Sequence, residues 1–226
     1  MWGVAAAAQS VPGTPAARFP QPSRPVASII SDRWASEDTR ERLGEAATVM
    51  RLLNIAPGTA VADIGAGSGY YAVRLARQVG DSGRVYAEDI IPDYLANLQA
   101  RVTSEKLSNV TVIRGEPHDP MLPPASVDVA LLVHMYHEID QPFGLLTNLV
   151  PALRPGAVVG ILDANRSTLQ HGTPPPLLEC ELRAVGYRQT AFHPLENGAA
   201  YLAVFAPPAQ PVAAASIKPC RPDGTQ

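Results

Sequence analysis

The chain has 226 residues, of which 46% are hydrophobic, and its formal net charge is −3 at neutral pH. This length and composition predict one globular domain with a sizeable core. The sequence has no lysine or arginine run, which argues against nucleic acid or anionic membrane as partners. It also has no apolar run of the roughly 20 residues needed to span a bilayer.

The two ends of the chain differ from its middle. Residues 1–35 and 207–226 are rich in proline and alanine, and we expect mobile segments without a core on either side of a domain at 36–206. The first nine residues resemble the last part of a secretory signal but lack a basic region. They predict either export or an alanine-rich arm on a cytoplasmic protein, and we prefer the second interpretation.

Between these ends, apolar runs predict an alternation of strands and helices. The strands are predicted at 60–64, 84–88, 110–114, 127–133 and 157–163. The helices are predicted to begin near residues 36, 68, 92, 141 and 174. Such an alternation is typical of a parallel, doubly wound sheet in the α/β class.

The last part of the domain breaks the alternation. Residues 187–192 and 199–205 are strand-like, and Asn197-Gly198 stands between them with no room for a helix. This pattern predicts an antiparallel hairpin. The predicted fold is therefore a doubly wound, mostly parallel sheet that ends in a C-terminal antiparallel hairpin.

A glycine turn follows the first predicted strand. Gly65, Gly67 and Gly69 give the spacing G-x-G-x-G, whereas a dinucleotide fingerprint would need a glycine at position 70, where Tyr70 stands. Glycines allow both a sharp turn and close approach of a ligand to the backbone. Asp63, just before the turn, suits a ligand that carries positive charge. A tight turn with no ligand is the alternative interpretation.

With these motifs, residues 45–206 resemble the class I methyltransferases that use S-adenosylmethionine (SAM). The resemblance implies that SAM is the cofactor and that Asp63, Gly65, Gly67 and Gly69 surround it. It also implies that an acid at the end of the second strand holds the ribose hydroxyls. Asp89 aligns best with that acid, and its neighbour Glu88 is the alternative.

The segment after the third predicted strand resembles the family's adenine-binding segment. Glu116 occupies the usual position of the acid that accepts from the adenine amine, and Asp119 is an alternative. Pro117 stands where many members have a backbone N–H that contacts the ring, and proline has no such donor.

Two histidines after the fourth predicted strand are the candidate catalytic residues. The carboxyl ends of strands in a doubly wound sheet face the ligand crevice. There a histidine, whose ordinary pKa is about 6.5, can take a proton from the methyl acceptor. His137 is the first candidate and His134 the second, and packing or capping is the alternative role. Asp163, Asn165, Arg166 and His171 follow the fifth strand as weaker candidates for acceptor contact.

Cys180 and Cys220 do not indicate a metal site or a disulfide framework, and Cys180 is expected to pack in the core. No metal site is predicted. The sequence thus predicts SAM-dependent methyl transfer to a small-molecule acceptor, without indicating which acceptor or which oligomeric state. The alternatives are a non-catalytic SAM-binding or partner-interaction module and, with less support, a nicotinamide-dependent oxidoreductase.

Overall fold

One seven-stranded sheet forms the centre of the computed structural model, which describes residues 12–29 and 37–226. The signal-like start of the chain therefore lies outside the described residues. The strands are β1 (Ala60–Ile64), β2 (Arg84–Asp89), β3 (Val110–Arg114), β4 (Val127–Val133), β5 (Leu153–Ala164), β6 (Arg188–Leu195) and β7 (Ala200–Ala206).

The strand order is β3-β2-β1-β4-β5-β7-β6. The first five strands of this order pair in parallel, and β7 pairs antiparallel with both β5 and β6. The predicted fold class, including the terminal hairpin, is confirmed. All five residues of β1 are buried, which agrees with a central strand covered on both faces.

Helices cover the two faces of the sheet. They are α1 (Glu37–Arg42), α2 (Glu45–Leu52), α3 (Tyr70–Val79), α4 (Pro92–Ser104), α5 (Pro142–Leu149) and α6 (Pro175–Ala184). One hydrophobic core packs α2, α3 and α4 on the sheet, and the other packs α5 and α6. The predicted first helix is divided in two at Gly44, whose φ is 63°. Within the described residues no helix combines the length and apolar character needed to cross a membrane.

The described part of the N-terminal segment packs against the domain. Phe19 is 6% exposed and belongs to the core that includes α5. Arg24 is 4% exposed and forms an ion pair with Glu181 of α6 at 3.0 Å. The Ala27 amide donates to the carbonyl of His137 at 3.0 Å. Residues 12–29 therefore pack on the domain, whereas an arm without a core was expected. Their partners lie more than 100 residues away in the chain.

A disulfide attaches the C-terminal segment to the domain. Cys220 bonds to Cys180 of α6, and Ile217 is buried in the core. The expected absence of a disulfide is wrong, whereas Cys180 is buried among apolar side chains as expected. Residues 207–226, expected to lack a core, contribute the buried Ile217 and Cys220. The two cysteines are 40 residues apart, and only the fold brings them together.

We expect reduction of this disulfide to lower the free energy of unfolding by about 3–4 kcal/mol, because the bond closes a long loop in the unfolded chain. Urea unfolding with and without a reductant measures the change. A Cys180→Ala/Cys220→Ala variant is the control, since its stability should not respond to the reductant. Equal stability of the oxidised protein and a fully reduced one, with both thiols alkylatable, would contradict the prediction.

Candidate functional site

A cleft of about 400 Å³ opens at the carboxyl ends of β1, β2 and β4. This volume lies within the range of small-molecule sites. Three kinds of group line the cleft: the glycine turn after β1, the acids at the end of β2, and polar and apolar residues after β4. Because β1 pairs in parallel with both β2 and β4, their ends meet at one edge of the sheet.

The glycine turn has two distinct requirements. At Gly69 (φ 90°) an added Cβ would lie 2.6 Å from Cδ1 of Leu98, so the packing of α4 requires glycine there. At Gly67 (φ 54°) an added Cβ would meet nothing within 4 Å. The space above Gly67 is part of the cleft, so a ligand can approach the backbone there. Gly65 also lines the cleft.

Three carboxyl groups gather at the ends of β1 and β2. Burial, followed by the charge of Asp89, raises the pKa of Glu88 well above its ordinary range. Burial raises the pKa of Asp63 to about 7, against the opposing charge of Arg40. Burial also raises the pKa of Asp89, although its oxygens accept from the amides of Gly67 and Ile91, each at 2.9 Å. Together the three carboxyl groups disfavour further negative charge in the cleft and favour a cation.

Glu88 and Asp89 both line the cleft, whereas Asp63 lies just beneath the turn and is 2% exposed. Asp63 Oδ2 and Glu88 Oε1 have no hydrogen-bond partner among the described residues. The Gly65 amide donates to the other Glu88 oxygen at 3.3 Å. The structure thus brings both candidate ribose acids to the cleft.

Arg40 is a cleft residue that the sequence analysis misses. It comes from α1, and its guanidinium lies 3.9 Å above the ring of Tyr70. It also donates to Glu45 Oε1 at 2.7 Å. The sequence gives no signal for this role beyond a positive residue on a helix that precedes the glycine turn.

The two candidate acids after β3 have different positions. Glu116 is exposed and, with Pro117, lines the cleft. Asp119 is 5% exposed and lies outside the cleft lining. Its oxygens accept from the amides of Gly13 at 2.7 Å and Met121 at 2.9 Å. Asp119 is therefore placed where it holds the N-terminal segment and its own loop.

His134 lines the cleft, and its Nε2 lies 3.1 Å from Oε2 of Glu45. Its φ of 53° is unusual for a residue that is not glycine. Burial opposes ionisation of Glu45, but the hydrogen bond and charge of His134, together with Arg40, lower its pKa to about 2. Glu45 is thus an anion that orients the His134 ring.

His137 is 2% exposed and is absent from the cleft lining, unlike its neighbour Glu138. Its Nδ1 lies 3.0 Å from an oxygen of the fully buried Asp163. The first candidate base is thus beside the cleft rather than in its wall, and His134 is the histidine that a ligand would meet.

The opposite wall of the cleft is apolar. Ile29 is 46% exposed there, and the wall continues through side chains of the N-terminal segment, of the turn before α5 and of α5 itself. They are Val26, Ala27, Ile139 and Leu145. The cleft therefore has a charged end at the glycine turn and an apolar end under the N-terminal segment.

Residues 61–156 match the model of a family described as "Methyltransferase domain". A demethylmenaquinone methyltransferase from Geobacillus kaustophilus is 26% identical over 121 residues, which are 54% of this chain and 52% of that protein. A protein-L-isoaspartate O-methyltransferase from Fervidobacterium nodosum is 36% identical over 64 residues, 28% of this chain and 32% of that protein. The chain thus spans about half the length, or less, of these curated relatives.

Among solved structures, a SAM-dependent methyltransferase from Aquifex aeolicus has a similar fold. Its TM-score is 0.69 at 23% identity, and the match covers 74% of this chain and 92% of that one. At this identity the likeness shows the shared fold alone.

The raised pKa of Asp63 gives a stability prediction. The folded state holds this proton up to about pH 7, whereas an unfolded aspartate releases it near 3.8. Stability of the ligand-free protein should therefore fall as pH rises between these values. An Asp63→Asn variant lacks this loss, so from about pH 4 to about pH 7.5 the wild type should lose about 2–4 kcal/mol relative to the variant. Urea unfolding at both pH values checks this, and parallel pH profiles would contradict it.

Proposed function

We propose that this chain is a class I SAM-dependent methyltransferase that transfers the methyl group of SAM to a small-molecule acceptor in the cleft, as the match of residues 61–156 to a methyltransferase family model supports. One observation supports the proposal most: three carboxyl groups, those of Asp63, Glu88 and Asp89, gather beside the open space above Gly67. SAM carries an ammonium and a sulfonium group, so this charge pattern fits it. A dinucleotide pyrophosphate would bring two negative charges to the same acids.

We propose that Asp89 accepts from the ribose hydroxyls, since a carboxylate can accept from two vicinal donors. Glu116 is the proposed partner of the adenine amine, because it lines the cleft whereas Asp119 lies outside the cleft lining. Arg40 is the cation available to the carboxylate of the methionine part, opposite the acids that suit its ammonium group.

The acceptor is proposed to have an apolar body. Ile29, Ile139 and Leu145 would contact it at the apolar end of the cleft. The Geobacillus kaustophilus relative is named a demethylmenaquinone methyltransferase, and an apolar acceptor of that general character suits this wall.

SAM, when bound, supplies an electrophilic methyl group on a sulfonium that is already a good leaving group. The residues of this chain then have three tasks: aligning the two reactants, excluding water, and taking the acceptor's proton. We propose His134 for the last task. Its Nε2 is held by Glu45 at 3.1 Å, which leaves Nδ1 to accept the proton.

Titration with SAM tests the binding part of the proposal. A ligand at about 100 times its dissociation constant should stabilise the fold by about 2.7 kcal/mol. Gly67→Ala should lower SAM affinity at least about tenfold, because the new methyl group occupies the approach to the turn. Calorimetry and thermal unfolding with SAM measure both effects.

Gly156→Ala is the matched control. Gly156 also has a positive φ, 83°, and an added Cβ meets nothing within 4 Å, but it is an exposed residue of β5 away from the cleft. The two variants share the backbone strain of alanine at positive φ, so only Gly67→Ala should change SAM affinity. Equal affinities, or a folded wild type that does not bind SAM, would contradict the proposal.

The role of His134 gives a kinetic prediction. His134→Ala should leave SAM affinity nearly unchanged and lower turnover by about 10²–10⁴-fold on an acceptor that must lose a proton. Release of S-adenosylhomocysteine from labelled SAM, with a panel of apolar hydroxyl and thiol acceptors, measures turnover. The loss should shrink for acceptors that are already deprotonated, because they need no base.

His193→Ala, a substitution in β6 outside the cleft lining, is the control for removal of an imidazole. If His134→Ala retains full turnover on an acceptor that must lose a proton, catalysis depends on alignment and the assignment of His134 is wrong.

A further inference from the structure

Two histidines and a glutamate form a cluster beside the cleft. His137 and Glu138 lie in the short 3₁₀ turn after β4, and His171 follows the short 3₁₀ turn after β5. Glu138 Oε1 is 3.9 Å from His137 Nε2 and 3.9 Å from His171 Nδ1. One donor atom from each residue lies within 4.8 Å of the other two. In the described part of the chain this is the one group of three such residues at that spacing.

We infer that His137, Glu138 and His171, called here the triad, bind a divalent transition-metal ion. Two imidazoles and one carboxylate suit zinc, iron or cobalt, whereas magnesium and calcium prefer an all-oxygen set. Zinc–ligand distances of about 2.0–2.2 Å in a tetrahedral site place neighbouring donors about 3.4 Å apart. The two 3.9 Å separations from Glu138 therefore need a closure of about half an ångström, and the separation of the two histidine donors, at most 4.8 Å, needs up to about 1.4 Å.

The partner of His137 supports the assignment independently of these distances. Asp163 lies 3.0 Å from Nδ1 of His137 and also accepts from the Thr173 hydroxyl at 2.7 Å and the Ala164 amide at 2.8 Å. A carboxylate on the far nitrogen is the usual device that fixes a metal-binding histidine. It sets the tautomer in which Nε2, the nitrogen facing Glu138, carries the lone pair.

The backbone of the triad is also fixed. His171 has a φ of 56°, and its carbonyl accepts from Nε of Arg166 at 3.2 Å. The His137 carbonyl accepts from the Ala27 amide and from Arg24. The donors thus come from a rigid frame, which reduces the ordering cost of binding a metal.

Because Glu138 lines the cleft, the metal would lie at its margin. Three protein ligands leave at least one coordination position for water or for an oxygen of a bound molecule. This site is additional to the SAM subsite and does not depend on SAM binding.

The test uses the untagged full chain, stripped with a chelator and dialysed. Zn²⁺ is titrated by calorimetry, and Co²⁺ is followed by its visible absorption. We expect one ion per chain with a micromolar or tighter dissociation constant, and a Co²⁺ spectrum typical of four or five ligands. His171→Ala and Glu138→Gln should each weaken binding by more than about 10–100-fold, the range for loss of a group that only orients a metal ligand. Glu138→Gln keeps the side-chain shape, so it remains informative if the histidine variant is unstable.

His193→Ala is the control, because His193 lies in β6 and outside the triad. It should bind Zn²⁺ as the wild type does. Asp163→Asn tests the positioning role, and it should weaken binding and shift the Co²⁺ absorption. Absence of one-to-one binding in the wild type, or binding that His171→Ala and Glu138→Gln leave unchanged, would overturn the inference.

Discussion

The buried guanidinium of Arg24 holds together the loop on which the cleft depends. It pairs with Glu181 at 3.0 Å and donates to the backbone carbonyls of Tyr136 and Ile139 at 3.1 and 3.2 Å. The Tyr136 hydroxyl donates to the same glutamate at 2.8 Å. Removing one member of such a pair leaves an unmatched buried charge, which typically costs about 3–5 kcal/mol. The turn that presents Glu138 to the cleft is therefore tied to α6 and to the N-terminal segment at once.

This arrangement explains why the centre of the fold could be predicted from the sequence and the ends could not. The strands at 60–64 and 127–133 are apolar runs that each contain a single aspartate, and the glycine turn between β1 and α3 is a local signal. The contacts of Arg24 and Cys220 are long-range. Arg24 meets Glu181 across 157 residues, and a proline-rich composition says nothing about such partners. Composition alone therefore predicted coreless ends where residues 12–29 and 207–226 pack on the domain.

The candidate site was predictable to the same extent. Asp89 and Gly67 follow from the strand–turn–helix pattern, and both border the cleft. Which histidine faces the cleft depends on the turn after β4, where a positive φ at His134 redirects the chain. Asp119 matched the pattern of an adenine-binding acid, yet its carboxylate is occupied by the Gly13 amide from the opposite end of the chain. Sequence spacing identifies the strand ends, but only packing decides which side chains stay available.

The acids at the glycine turn connect stability with binding. Burial raises the pKa of Asp63, Glu88 and Asp89, and the charge of Asp89 adds to the increase at Asp63 and Glu88, so the ligand-free fold either retains protons there or bears repulsion. A cationic ligand relieves that repulsion, and part of its binding free energy comes from this relief. Arg40 moderates the same repulsion from α1. A site whose carboxyl groups repel one another without a cation is selective for ligands that bring positive charge to the turn. This selectivity is the physical reason to expect SAM rather than a dinucleotide as the ligand.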